Sequence, residues 1–106
     1  MQGFSCKEYV KIIGKSGLEH EVNLNGKNNE KELNIVIKES EKEIDDDEIK
    51  SLLVDLIDLP SEIVILIIIP AISERAKTII SNYKITAITG EYSQIPAKFK
   101  EEMERI

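Results

Sequence analysis

The sequence predicts an α/β fold, a mixed sheet flanked by helices with elements in the order α-β-β-α-β-α-β-α. Three observations predict it. Two neighbouring runs, Leu18–Leu24 and Leu33–Lys38, alternate apolar and polar residues, the period of strands with one face on a core. A third run, Ile63–Ile69, is apolar at every position, as in a strand covered on both faces. Between and after these runs, apolar residues recur at helical spacing, first at Ile49, Leu52, Leu53, Leu56 and Ile57, then at Ala76, Ile79, Ile80 and Tyr83.

Each element has local support. Ser5 and Glu8 are spaced as a capping box, with Phe4 and Tyr9 at the positions of a hydrophobic staple. They predict a short helix over Cys6–Ile13, with Tyr9, Val10 and Ile13 on one face and Gly14 as its stop. In the next strand Leu18, His20, Val22 and Leu24 share the inward face, and Glu19, Glu21 and Asn23 the other. Asn25-Gly26 predicts a turn, and the polar residues through Lys31 a loop. The returning strand places Leu33, Ile35 and Ile37 inward, with Asn34, Val36 and Lys38 opposite, so the two strands form a hairpin. Asp45–Glu48 opens the next helix, where acids favour the positive end of the helix dipole and an Asp can cap it. Pro60 closes that helix and Pro70 closes the buried strand. Ser73 caps another helix, Ile85–Thr89 is a strand, and Pro96 sits in the first turn of a last helix bearing Phe99 and Met103.

The length of 106 residues suits a single domain across residues 1–106. Fourteen Lys and Arg face 20 Asp and Glu, a net charge of -6, which excludes a strongly basic nucleic-acid coat protein. Hydrophobic residues at 42% and charged residues at 32% are a globular balance. The single Cys6 has no disulfide partner and suits a reducing compartment. Met1–Tyr9 has no apolar stretch of the secretory kind, and the seven residues of Ile63–Ile69 are too few to span a bilayer, so a cytoplasmic protein without membrane contact is expected. Abundant Ile, Lys and Glu with only Gln2 and Gln94 fits a thermophile of archaeal origin, although AT-rich coding would also raise Ile and Lys.

The order helix, hairpin, helix, buried strand, together with Gly14-Lys15-Ser16-Gly17-Leu18-Glu19-His20-Glu21, Ile69-Pro70-Ala71-Ile72-Ser73-Glu74-Arg75-Ala76-Lys77 and Tyr83-Lys84-Ile85-Thr86-Ala87-Ile88, resembles an archaeal branch of the restriction-endonuclease-like (PD-(D/E)xK) nucleases over Phe4–Gly90. The resemblance implies an acid on each hairpin strand holding Mg²⁺, and a Lys two residues after the second acid that helps activate the attacking water. Lys38 falls at the Lys position. The acid positions read Asn23 and Val36, so the motif is degenerate there. A domain with a degraded metal site, kept for binding nucleic acid or a protein partner, is the expectation, with no cofactor. Two alternatives stand beside it. In the first, pairing of Asn23 with Asn34 sets Glu21 opposite Val36 and Glu19 opposite Lys38, and a displaced catalytic set of Glu19, Glu21 and Lys38 works as a Mg²⁺-dependent DNA nuclease. The plain alternative to that set is a Glu19–Lys38 ion pair across the strands. In the second, the domain is a protein-binding adaptor or homodimer with no nucleic-acid role.

Remaining candidates are few. Lys7, Lys11 and Lys15 recur every four residues, a stripe along the first predicted helix that could touch phosphates with Lys38 at its inner end. His20 reads as a partly buried, hydrogen-bonded core imidazole rather than a base. No Cys or His spacing indicates a metal site.

Overall fold

A computed structural model describes residues 3–105. Its elements are β1 (Ser5–Ile13), β2 (Glu19–Lys27), β3 (Glu32–Glu39), α1 (Asp46–Leu56), β4 (Ile63–Ile69), α2 (Glu74–Ile80), β5 (Thr86–Thr89) and α3 (Ile95–Glu104), the last preceded by a 3-10 turn at Tyr92–Gln94. Five strands form one sheet in the order β1-β2-β3-β4-β5. The first three are antiparallel, and β3, β4 and β5 are parallel. This is the mixed α/β sheet that the sequence predicts, and Ile63–Ile69 lies between β3 and β5 with Val64–Ile69 buried.

The first element is a correction. Ser5–Ile13 is the edge strand β1 and not a helix, so the order begins β-β-β and no capping box or staple forms at Phe4–Tyr9. Val10 and Ile12, two residues apart, pack on the same core as Val22, a spacing that only a strand allows. Tyr9, Val10, Ile12 and Ile13 are types that favour extended backbone, and β2 offers them an open edge; pairing along that edge outweighs the local helix signal.

Two apolar layers sandwich the sheet. On one face α1 and α2 cover Val22, Val64, Leu66 and Ile68 with Ile49, Leu53, Leu56, Ala76 and Ile80. On the other, α3 brings Ile95, Phe99 and Met103 against Leu33, Ile35, Ile65, Ile67 and Ile88. The caps follow the sequence. Asp45 Oδ1 accepts from the Glu48 N–H at 2.9 Å, and Ser73 Oγ accepts from the Ala76 N–H at 3.1 Å. Ile57, expected on the sheet side of α1, caps that helix and is half exposed. No described helix is long and apolar enough to cross a membrane.

The hairpin register differs from the expected one by two residues. Asn25, not Asn23, lies opposite Asn34, and the chain reverses over Asn28–Lys31 rather than at Asn25-Gly26. Both amides are buried, and they form a chain of hydrogen bonds. Asn25 Nδ2 donates to Asn34 Oδ1 at 2.8 Å, Asn34 Nδ2 donates to Ser61 Oγ at 2.9 Å, and the Ser61 hydroxyl donates to the Ile63 carbonyl at 3.0 Å. A slip of one residue would bury these amides without partners.

The Asn34→Ala variant should therefore lose about 1–3 kcal/mol in urea unfolding. The buried Asn25 amide loses its shortest acceptor and keeps only the longer contacts to Glu32 and the Leu33 carbonyl, while Ser61 loses its donor. Replacing both Asn25 and Asn34 by Leu should recover part of that loss, since neither polar group then remains.

Candidate functional site

The hairpin opens where its two strands part. β2 and β3 pair only from Leu24–Ile35 to Lys27–Glu32. Past Leu24 the chain turns over: Leu24 packs on the α3 face, whereas Val22 packs on the α1 face. The residue between them, Asn23, places its side-chain Oδ1 2.8 Å from the Ile37 N–H, supplying the acceptor that the interrupted ladder no longer provides. Across from Asn23, Tyr9 takes a left-handed φ of 50° and drops out of the β1–β2 pairing. Register resumes at Val10–Val22 without an inserted residue.

This fork is where the resemblance places its metal ligands. Its floor is aliphatic. A cleft of about 100 Å³ lies between Val22 and Val36 on the sheet and Leu52, Leu56 and Leu59 above them. His20 and Asp55 stand at its mouth, and the strand at Glu21 completes the lip. Val36 has no donor atom, and the Asn23 carbonyl is already taken by the Ile37 amide. Among the described residues no three His, Cys, Asp or Glu side chains gather so as to hold a metal ion. A hard divalent cation needs several oxygen ligands, at least some of them anionic, so the residues at the fork do not fit one.

The structure separates the residues of the rearranged set. Glu19 lies opposite Ile13 on β1 and pairs with Lys11 at 3.6 Å, not with Lys38. Glu21 lies opposite Lys11 and alternates with buried Val22, which directs it away from the α1 face. Lys38 is two residues beyond Val36 on the α1 face, opposite Ile68. The Lys7, Lys11 and Lys15 stripe required a helix and does not form. Lys7 lies opposite Asn25 on the α1 side of the sheet, Lys11 points to the other side, and Lys15 is in the turn after β1.

One cluster escaped the sequence reading. Asp58, just past α1, receives three hydrogen bonds at its carboxylate: from the Ser16 N–H at 2.8 Å, the Ser16 hydroxyl at 2.6 Å and His20 Nε2 at 2.6 Å. Its own carbonyl accepts from the Lys15 N–H at 2.8 Å. His20 Nδ1 lies 3.7 Å from Asp55. Hydrogen bonds from Ser16 and then from His20 hold the Asp58 carboxyl down at about 2, below its usual 3.8. An ionised carboxylate only accepts, so the proton between it and His20 belongs to Nε2. Ser16 and His20 both donate to the same acid, which braces the turn and does not activate the serine. His20 is thus the satisfied, partly buried imidazole expected. Gly14 makes the approach feasible, because a Cβ there would overlap the Asp58 carboxylate. The only sequence sign was an acid following α1 where a helix end would favour a base.

No family model matches the chain, and no curated protein matches it. Two solved structures share its fold. The protein of unknown function AF1548 superposes with a TM-score of 0.66 at 18% identity, over 80% of this chain and 48% of its own. A repair endonuclease from Pyrococcus abyssi superposes with a TM-score of 0.55 at 18% identity, over 85% of this chain and 39% of its own. The chain thus spans less than half the length of either. At this identity the likeness shows the fold, a mixed α/β sheet consistent with restriction-endonuclease-like topology.

The brace has a pH signature. The Asp58 pKa is lowered on folding, so its contribution is complete above about 3.8 and disappears as pH falls through 3.8 towards 2. Asp58→Asn should melt below the wild type at neutral pH, and the gap should close across that acid window. Gly14→Ala should show the same neutral-pH loss, read by differential scanning calorimetry.

Proposed function

We propose that this is a nuclease-fold domain without divalent-metal cleavage, retained as a binding module. The observation that supports this is the fork itself. Of the two positions where the resemblance implies acids, Val36 faces α1 with no donor atom and Asn23 spends its side-chain carbonyl on the Ile37 amide, and Lys38 shares the Val36 face with no assembled acid pair. Phosphodiester hydrolysis of this kind needs a metal to polarise the phosphate and to activate water. A lone lysine supplies neither. The repair endonuclease of the same fold makes nucleic-acid processing a natural setting for such a module, and the unpaired Cys6 suits a reducing compartment.

The test is direct. Purified protein, incubated with labelled single- and double-stranded DNA and Mg²⁺ or Mn²⁺, should leave both intact. Metal-dependent cleavage that disappears in both Glu21→Gln and Lys38→Ala would instead establish the rearranged nuclease.

A further inference from the structure

From the fork we infer that the cleft between β2, β3 and α1 is a docking pocket for one branched aliphatic side chain of a partner protein, presented on a basic segment. The inference rests on the binding-module reading and names its ligand class. Size comes first. The cleft holds about 100 Å³. An apolar cavity of about 150 Å³ accommodates a benzene ring, so this one admits an isobutyl group and excludes a nucleobase. The lining matches that occupant. Val22, Leu56 and Leu59 form a buried floor, and Val36 and Leu52 are half-buried walls. Such a site gains from every methyl group it covers, and its aliphatic floor gives a buried base edge no hydrogen-bonding partner; the polar groups, His20 and Asp55, stand only at the mouth.

Charge selects the flanks. The last turn of α1 carries no basic residue, and its carboxyl end, the negative pole of the helix, lies at the mouth with exposed Asp55. Asp58 adds a second ionised carboxylate, held by Ser16 and His20. Against these stand His20 itself and Lys38, which is two residues beyond Val36 and outside the lining. The molecule as a whole carries -6. Phosphate is repelled from this mouth, whereas lysines flanking an apolar anchor are attracted. The occupant is therefore a protein segment and not a nucleic acid.

The probe is a capped Lys-Lys-Leu-Lys-Lys peptide titrated into methyl-labelled protein and followed by NMR. Saturable shifts are expected at the Val22, Val36, Leu52 and Leu56 methyls. The peptide with Ala in place of Leu should bind roughly tenfold to fiftyfold more weakly, the value of the lost methyl and methylene groups. Glu flanks, added salt or Asp55→Lys should each weaken binding. Leu52→Phe, which fills the mouth, should abolish it while circular dichroism stays native. Equal shifts from the Leu and Ala peptides, shifts mapping elsewhere, or none at millimolar peptide would overturn the inference. So would stronger perturbation of the same methyls by a short single-stranded DNA. Cleavage in the metal assay would instead remove the binding-module reading itself, which keeps the two failures distinct.

Discussion

The buried pairing of Asn25 with Asn34 sets everything that happens at the fork. Opposite each other on adjacent strands, the two amides bind one another and pass the chain of hydrogen bonds on to Ser61. Hydrophobic contact alone would tolerate a shifted hairpin, because Leu, Ile and Val are similar in shape and any register with the right parity buries them. Two amides in an apolar layer tolerate only the register in which they meet. With that register fixed, the ladder ends at Leu24–Ile35, and Val22 and Val36 are left facing α1 across an open gap. The cleft is a consequence of where a polar pair was placed.

A second constraint holds the other end of β2, where it joins β1. β1 and β2 reach beyond the rest of the sheet, and their turn at Gly14–Leu18 would be a loose projection without an anchor. Asp58 supplies it, gathering backbone and side-chain donors from Ser16 together with the His20 ring. The same contact fixes His20 and Asp55 at the mouth of the cleft. Turn, helix end and cleft therefore form one mechanical unit, and an acid that is unfavourable at a helix C-terminus is compensated by three donors.

Sequence pattern foretold the elements whose signals are local and strong. β4 was evident from seven consecutive apolar residues, and α1 and α2 from their Asp45 and Ser73 caps and their apolar spacing. The hairpin strands were evident in kind but not in register: Asn25-Gly26 is a good turn signal, and taking it as the turn left Asn23 as the apparent partner of Asn34. The alternation of β2 also broke at Asn23, where the chain turns over, which no count of apolar residues reveals. Ser5–Ile13 satisfies both a helical and an extended pattern locally, and only the open edge of β2 decides for the strand β1. Asp58 was invisible because its partners lie some 40 positions earlier, at Ser16 and His20. Of the candidate residues, His20 behaves as the pattern implied, whereas Glu19, Glu21 and Lys38 scatter because their grouping depended on the wrong register.

The aliphatic fork also makes physical sense as a stable end state. Two carboxylates brought together in a half-buried cleft repel each other and require a cation to remain ionised. Without a resident metal they burden the fold, and replacing buried ionic groups by fitted aliphatic ones is commonly neutral or stabilising. Val22 and Val36 line the sheet side of the cleft, with Leu52 and Leu56 of α1 on its other wall. Asn23 supplies a neutral oxygen to the Ile37 amide, which satisfies that donor without placing a charge at the fork. The hydrogen bonding of the backbone at the fork is thus completed by Asn23, while the interior of the cleft is lined by aliphatic side chains.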